Sequence, residues 1–345
     1  MLYVTTRIGQ DAFTSGRALS ESRGPEGGFY VPIHVPVFSG QQIAQLAQRT
    51  FSQNAAEILN LLFGTHLDGW AVEFAIGRYP VQMTTLSGKV MVAETWHNPA
   101  GKFERLASGM EKAIRQSDQI RQTPSDWLMI VARIAMLFGI YGQLLAGGVL
   151  TGDRKLDIAV PSSELSALMA AWYARSWGLP IGTIVCCCNE NNGLWNLLHK
   201  GEFRTDVPAV QTNTPACDIT VPQDLERLIY AALGREEALR FLDCCRSGST
   251  YCLSQEQTET LRSGLHISVV SGKRMASTVP NLYKTTDYLA DPYTALTYSG
   301  LADYRASSFE NRLALILAEE SPVFSLQFLS QCMNLSPAQV KQLLN

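Results

Sequence analysis

Charge is scarce in this sequence, and neither sign dominates. Of the 345 residues, 17% are Asp, Glu, Lys or Arg, and the formal net charge is −3. This balance excludes the broad basic surface that binds nucleic acid, and it excludes an acidic tail. The first residues lack a basic segment followed by an apolar one, so we expect no secretory signal and a cytoplasmic protein.

Metal-binding spacings are also missing. The five histidines show neither HExxH nor HxxxH pairing, and the eight cysteines include no CxxC pair, so we expect no metal site. The cysteines at 186–188 fit a reduced, buried strand better than a disulfide framework. One long apolar run covers 127–150, but Arg133 and Gln143 interrupt it. Because a mid-span arginine is costly in lipid, we predict a buried helix and no membrane contact.

Strand and helix signals alternate from residue 156 onward. Two apolar strand segments, 156–160 and 179–188, enclose a helix signal that stops at Gly178. A strand, a helix and a second strand in this order predict a βαβ unit, and therefore an α/β fold with a parallel sheet.

The first 95 residues carry mixed signals without that alternation. Helix patterns cover 40–51 and 54–64, and a strand pattern covers 87–96. We therefore predict an N-terminal domain over 1–95 and a larger α/β domain over 96–345.

Six segments of the chain, in one order, match the motifs of a known family. They are YVTTRIG (3–9), GGFYVP (27–32), PVFSGQQI (36–43), VPSSELSALMAAWYARSWGLPIGTIVCCCNENN (160–192), TPACDITVPQDLERLIY (214–230) and DYLADPYTALTYSGL (287–301). Together they resemble threonine synthase, a fold-type II enzyme that uses pyridoxal phosphate (PLP). The resemblance implies that family's scaffold, in which helices cover a parallel sheet, and a place in amino-acid metabolism.

The cofactor lysine of that family is replaced. Its HGPTLAFKD motif aligns with HNPAGKFER at 97–105. His97 matches, but Glu104 takes the lysine position, and a carboxylate cannot form an imine. Lys102 lies two residues earlier, about 200° away around a helix. Lys102 is therefore either an exposed loop residue or a relocated amine.

The glycine-rich phosphate loop is also replaced. The family's GNFG turn aligns with Ser163-Glu164-Leu165-Ser166. Both glycines are absent, and Glu164 places negative charge where a phosphate would bind. The same residues make an ordinary helix start, with Ser162 or Ser163 as the N-cap and Glu164 in the first turn.

Two more parts of the cofactor site have no counterpart. The small mobile domain of the family, with its SGDTG loop, belongs between Arg105 and Leu156, where there is no room for a βαβ unit. The TAHPAKF motif aligns with 318–324, which keeps only the proline. We therefore predict a threonine-synthase-like scaffold of fold type II that lacks most of the small domain and binds no PLP.

Polar residues near the predicted strand ends form the remaining candidate site. Candidates for catalysis are His97, Lys102, Glu104 and Glu164, and candidates for ligand binding are Ser162, Ser163, Ser166, Asn189, Asn191, Asn192 and Asp218. The carboxyl ends of parallel strands are the usual ligand position in such sheets. A structural role remains the alternative: the asparagines hydrogen-bond turn backbone, and Asp218 pairs with Arg227.

Three functions fit this sequence. The first is a pseudoenzyme that binds a small amino-acid-like or phosphorylated metabolite, or a partner protein, through the old cleft. The second is a PLP-independent enzyme of small-metabolite biosynthesis. The third is an active PLP-dependent threonine synthase or lyase that acts on a phosphorylated amino acid such as O-phosphohomoserine, with Lys102 as its lysine. We favour the first, and we expect a homo-oligomer because loss of the small domain exposes apolar surface.

Overall fold

A small antiparallel sheet begins the chain in the computed structural model. The structure describes residues 1–9, 11–34, 36–78, 80–86, 89–97, 102–117, 123–152, 154–163 and 165–344. The strands of this sheet are β1 (Leu2–Thr5), β2 (Phe13–Thr14) and β3 (Tyr30–Pro32), in the order β2-β1-β3. Tyr3 and Thr5 of β1 are buried and Leu2 is exposed, which is the period-two pattern of a half-covered strand.

The same part of the chain contains four helices among its described residues. They are α1 (Ser15–Ser20), α2 (Gly40–Gln45), α3 (Phe51–Phe63) and α4 (Gly69–Ile76). α3 begins with a capping box, in which the side chains of Thr50 and Gln53 accept from each other's backbone N–H groups. It ends at Gly64, whose φ of 69° is a left-handed conformation that glycine adopts without strain. Local sequence therefore sets both ends of α3.

The central sheet is formed further along the chain. The remaining strands are β4 (Gln82–Thr85), β5 (Val90–Glu94), β6 (Leu156–Pro161), β7 (Ile181–Cys188), β8 (Glu202–Arg204), β9 (Thr250–Cys252), β10 (Leu265–Val269) and β11 (Ala314–Ala318). Six of them form one sheet in the order β10-β7-β6-β11-β5-β4, and all neighbours are parallel except β4 and β5. The predicted parallel sheet is confirmed. β8 and β9 pair separately.

Helices follow most of these strands. They are α5 (Glu104–Arg115), α6 (Asp126–Ala146), α7 (Leu165–Ser176), α8 (Gly193–Lys200), α9 (Leu225–Leu233), α10 (Arg235–Ser247), α11 (Gln255–Arg262), α12 (Gly272–Thr286), α13 (Pro292–Ser308), α14 (Leu326–Met333) and α15 (Pro337–Leu343). Short 3₁₀ turns cover Leu46–Gln48, Pro215–Cys217 and Pro322–Ser325. The order β6, α7, β7 is the predicted βαβ unit.

The central sheet is buried on both faces. Alternate residues of β11 belong to two different hydrophobic clusters: Leu315 and Leu317 to one, and Ala314, Ile316 and Ala318 to the other. The first cluster contains side chains of α6 and α7, and the second contains side chains of α12 and α13. Helices therefore cover both faces, which explains why the parallel strands are almost uniformly apolar.

α6 is the helix predicted from the apolar run at 127–150. It is long and apolar enough to cross a membrane, but 83% of its most apolar window is buried inside the protein. It packs against α3, α5 and α7. The prediction of a buried core helix is confirmed.

Between Glu104 and Lys155, the described residues form α5 and α6, and none of them belongs to a strand. The loss of the small domain stays a prediction. β4 and β5 lie before residue 95 and yet belong to the central sheet. The sheet therefore runs across the boundary predicted at residue 95.

Candidate functional site

A cavity of about 190 Å³ lies at the C-terminal edge of the central sheet. β6 and β11 end there and α7 and α13 begin there, which is the usual ligand position in open α/β sheets. Four carboxylates line the cavity, from Glu104, Asp291, Glu319 and Glu320, and Lys102 is the one cationic lining residue in the described part of the chain. The other described lining residues are Pro161, Ser163, Ala167, Ala216, Tyr293, Thr294, Leu317 and Ala318.

Lys102 is bound to the segment that follows β11. Its backbone forms an antiparallel bridge with Glu320, and the N–H of Phe103 donates to the carbonyl oxygen of Glu319 over 3.0 Å. The Lys102 ammonium lies 2.8 Å from a carboxylate oxygen of Glu320. This hydrogen bond raises the pKa of Lys102. Because a nucleophilic amine must be neutral, the pair opposes covalent chemistry at Lys102.

Arg133 of α6 neutralises a second carboxylate of the cavity. Its Nε and Nη2 donate to the two carboxylate oxygens of Glu319 over 2.7 and 2.5 Å, a bidentate geometry. The Arg133 guanidinium also lies 4.2 Å from the ring centre of Phe103. With Glu319 and Glu320 both balanced by cations, the charges of Glu104 and Asp291 remain in excess.

Asp291 is the N-cap of α13. One of its carboxylate oxygens accepts from the N–H groups of Tyr293 and Thr294, over 2.8 and 3.1 Å, and the other accepts from the Thr294 hydroxyl. Burial raises the pKa of Asp291 to about 6, although these hydrogen bonds oppose the shift. Asp291 therefore titrates closer to neutral pH than an ordinary aspartate.

Tyr293 closes one wall of the cavity. Its hydroxyl oxygen accepts from the backbone N–H of Ala216 over 3.2 Å, which fixes the turn at Pro215–Cys217 to α13. Burial raises the pKa of Tyr293 to about 12, so the hydroxyl stays neutral.

The start of α7 faces a thiol. Burial raises the pKa of the Cys217 thiol to about 11, although the neighbouring hydroxyl groups of Ser162 and Ser163 lower it. Ser163 also lines the cavity, whereas Ser166 is buried within α7. Glu164 lies outside the described residues, so its predicted position at the old phosphate loop stays a prediction.

His97 lies just after β5 and contacts Glu94. Its Nε2 is 2.6 Å from Glu94 Oε2, and Trp96 stacks on the imidazole with 4.0 Å between ring centres. In the part of the chain that is described, His97 does not belong to the cavity lining. Of the predicted catalytic residues, the structure brings Lys102 and Glu104 together and places His97 apart.

Asn189, Asn191 and Asp218 belong to one hydrogen-bonded network. Asn189 Nδ2 lies 2.7 Å from Asp218 Oδ1 and 2.9 Å from Thr214 Oγ1, and Asn191 Nδ2 donates to Asn189 Oδ1 over 2.9 Å. The N–H of Thr212 donates to the other Asp218 oxygen over 2.7 Å. These side chains largely satisfy one another and tie the end of β7 to the loop before α9. That arrangement favours the structural interpretation of these residues.

The predicted pair of Asp218 and Arg227 is wrong. The guanidinium of Arg227 pairs with Asp224 and lies 4.3 Å from the ring centre of Phe29. Asp224 and Arg227 are three residues apart at the start of α9, a spacing that places them on one helix face. Asp218 and Asp224 are both close to Arg227 in sequence. The sequence therefore identifies Asp224 as the partner only if the start of α9 is known.

Asn192 lies at the start of α8, in a different place. Its side-chain oxygen accepts from Asn196 over 3.2 Å. With Glu190, Asn191 and Arg204 it lines a second cleft of about 210 Å³. The predicted ligand residues therefore do not share one site: Ser163 lines the first cavity, and Asn191 and Asn192 line the second cleft.

Sequence reasoning missed the contribution of α13 to the cavity. Asp291 followed by proline is an N-cap signal, and it could have placed a helix start there. The positions of Glu319 and Glu320 can be predicted only if β11, the strand directly before them, is predicted first. Among the described residues, no group of three or more His, Cys, Asp or Glu side chains is arranged to hold a metal ion.

Known proteins match this chain in sequence over part of their length. Residues 2–73 match the family model described as threonine synthase N terminus. Threonine synthase of Pseudomonas aeruginosa is 24% identical over 66% of this chain and 48% of its own length. Threonine synthase-like 1 of Homo sapiens is 22% identical over 50% of this chain and 23% of its own length. The chain thus matches about half, or less, of the length of these curated relatives.

Solved structures match over nearly the whole chain. PLP-bound threonine synthase from Brucella melitensis has a TM-score of 0.82 at 17% identity, covering 98% of this chain and 92% of its own. Threonine synthase from yeast has a TM-score of 0.81 at 14% identity, covering 96% and 90%. The fold is therefore that of the fold-type II PLP enzymes. Within that class, the chain is similar to threonine synthase in sequence and in fold.

Proposed function

We propose that this threonine-synthase-like protein is a pseudoenzyme that binds a small, amine-bearing metabolite without PLP, in the cavity between β6, β11 and α13. The charge of the cavity carries the proposal. Lys102 is held by Glu320, and Glu104 and Asp291 leave an excess of negative charge. Two unit charges 5 Å apart interact by about 3 kcal/mol at an effective dielectric constant of 20, so an ammonium group is attracted and a phosphate is repelled.

The residues present fit PLP poorly. PLP enzymes need a free amine for covalent attachment and a turn of small residues for the phosphate. Here the Lys102 ammonium is ion-paired, and Glu104 stands in the position that the resemblance gives to the lysine. At the start of α7, the hydroxyls of Ser162 and Ser163 neighbour the buried Cys217 thiol. We therefore propose that the chain binds no PLP and acts in the amino-acid metabolism of the cytoplasm as a binding protein.

One observation favours a second candidate function. The Lys102 side chain is 48% exposed and lines the cavity, so its amine reaches the position a ligand would take. Under this candidate, the chain is an active PLP-dependent threonine synthase or lyase that acts on a phosphorylated amino acid such as O-phosphohomoserine. That function requires Lys102 to leave Glu320 and lose its proton.

Incubation with PLP separates the two candidates. We expect the purified protein to show the absorbance of free PLP alone, and no mass increase at Lys102 after borohydride reduction. Lys102→Ala is the matched control, because it removes the amine and leaves surface lysines in place. A reduced adduct at Lys102 that is lost in Lys102→Ala would overturn our proposal in favour of the second candidate.

Two small probes of opposite charge test the ligand class. We expect 1,4-diaminobutane to bind and succinate, of the same chain length, not to bind, as measured by isothermal titration calorimetry. Glu104→Gln keeps the size of the side chain and removes its charge, and it should weaken diamine binding about tenfold, which corresponds to 1.4 kcal/mol. Equal binding of both probes, or no binding of either, would contradict the proposal.

A further inference from the structure

Two large aromatic side chains project from α4 into solvent. Trp70 is 73% exposed and Phe74 is 82% exposed, and their rings stack with 5.7 Å between centres. They are four residues apart and therefore share one helix face. Exposed aromatic pairs of this size are uncommon on the surface of a monomer, because each ring leaves a large apolar area in contact with water.

α4 holds this pair rigidly. Its opposite face is packed: Val72 is fully buried, and a Cβ added to Gly109 of α5 would come within 2.7 Å of the Ala75 carbonyl oxygen. Asp68 caps the helix by accepting from the N–H of Ala71. The exposed rings thus belong to an ordered surface and not to a frayed helix.

A groove lies at the start of α4, next in sequence to Trp70. It is lined by Arg49, Gln53, Glu57, Leu61 and Gly69, with further lining from Ala56, Asn60 and Leu67. Gly69 is the first residue of α4, so the groove ends where the helix with the aromatic pair begins. Arg49 and Glu57 form an ion pair at this groove, which gives it a polar margin.

The exposed area matches what a dimer needs. The exposed parts of Trp70, Phe74 and Leu61 amount to roughly 400 Å² of apolar surface, taking about 150–250 Å² for each whole side chain. Two copies together contribute roughly 800 Å². At the apolar share of about 65% that homodimer interfaces have, this corresponds to about 1,200 Å² in total, the lower end of the range for specific interfaces.

We propose that this face binds a second copy of the chain in a two-fold symmetric dimer. In such a dimer, the Trp70 and Phe74 pair of one copy fills the groove between α3 and the start of α4 of the other copy. The reverse contact follows from symmetry. A projection next to a groove suits a two-fold dimer, because each copy then contributes one projection and one groove to the interface. The proposal is independent of the ligand assigned to the cavity.

The test is the mass of the full chain in solution. We expect sedimentation equilibrium to give twice the 38.0 kDa chain mass at micromolar concentration. The double variant Trp70→Ala, Phe74→Ala should dissociate at a concentration at least 100-fold higher. Phe309→Asn is the matched control: Phe309 is 91% exposed at the end of α13 with a φ of 57°, a conformation that asparagine tolerates, and its loss should leave the dimer unchanged.

Tryptophan emission gives a second readout in the same samples. Trp70 is the one exposed tryptophan of the six, so dilution of the wild type should shift its emission to longer wavelength as the dimer dissociates. Circular dichroism checks that the double variant is folded. A monomeric wild type at 100 µM, or a dimer that survives in the folded double variant, would overturn the proposal.

Discussion

Asp291 is a carboxyl of the cavity whose pKa is shifted towards neutral pH. Burial raises its pKa to about 6, and Glu320 adds to the shift. The neighbouring phenols of Tyr288 and Tyr293 have raised pKa values as well and stay neutral, so they do not compete for the titration. Asp291 therefore makes the charge of the cavity depend on pH.

Diamine binding should strengthen as the pH rises from 5 to 7. Asp291 loses its proton in this range and then attracts an ammonium group. Asp291→Asn keeps an oxygen that caps α13 and removes the titration, so its affinity should be flat over the same range. Calorimetric titrations of 1,4-diaminobutane at several pH values check this, and a wild-type affinity that is independent of pH would contradict it.

The same carboxyl affects stability with a definite sign. The folded pKa of about 6 lies above the ordinary value of 3.8, so the folded protein holds this proton more tightly than the unfolded chain. The contribution of Asp291 to the free energy of unfolding is complete below pH 4 and is lost as the pH rises through 6. Urea unfolding at pH 4.5 and 6.5 should show this loss in the wild type, and Asp291→Asn should lack that component.

Arg133 is a stronger determinant of stability than its position in an apolar helix suggests. Arg133→Met removes the bidentate partner of the Glu319 carboxylate, whose side chain is only 19% exposed. We expect a loss of about 2–3 kcal/mol in the free energy of unfolding, since Glu319 keeps some access to water. Arg246→Ala removes a largely exposed ion pair with Asp243 and should have little effect in the same urea titration.

At the scale of elements, sequence predicts those that carry their own signals. β6, α7 and β7 were predicted because apolar strands enclose a helix that stops at Gly178, whose φ of 100° is left-handed. β11 was missed, although it lies in the middle of the sheet. Its five residues, ALILA, suit a buried helix as well as a strand, and no turn signal on the C-terminal side marks its end. Its pairing with β5 and β6 is long-range, so no local pattern reveals it.

Close packing between α6 and the N-terminal helices gives a prediction at the same scale. A Cβ added to Gly142 of α6 would lie 2.7 Å from the carbonyl oxygen of Leu46, a backbone atom that cannot move away easily. Gly142→Ala should therefore lower the free energy of unfolding by about 1–3 kcal/mol, in spite of alanine's better helix propensity. Gly16→Ala in α1 is the matched control, with open space around it, and should be neutral or stabilising. Equal effects of the two substitutions in urea titrations would contradict this account.

At the scale of the whole molecule, one hydrophobic cluster joins the two predicted domains. It extends from Tyr3 through α3 and α6 to Leu317 of β11. We therefore expect a single unfolding transition, with far-ultraviolet circular dichroism and tryptophan fluorescence giving the same midpoint in urea. Two separated midpoints would instead support a division near residue 95.

The cavity shows why the candidate site was predicted only in part. Lys102 and Glu104 were found because they lie in a motif that aligns with the family. Asp291, Glu319 and Glu320 come from segments between 187 and 218 residues away in sequence, and they reach the cavity only through the sheet order. The sequence predicted Asn189 and Asp218 as members of one polar cluster. It could not predict their mutual hydrogen bonds, because these depend on the orientation of the side chains.

The late position of β11 in the chain has a consequence for biosynthesis. The ribosome releases β4 and β5 early and β6, β7 and β10 later, but the strand that joins these two groups emerges only at residues 314–318. Until then, the inner edges of β5 and β6 have no permanent neighbour, and unpaired edges of this kind attract chaperones or other chains. A nascent polypeptide that stalls before residue 314 is therefore left with two half-sheets and becomes a substrate for quality control.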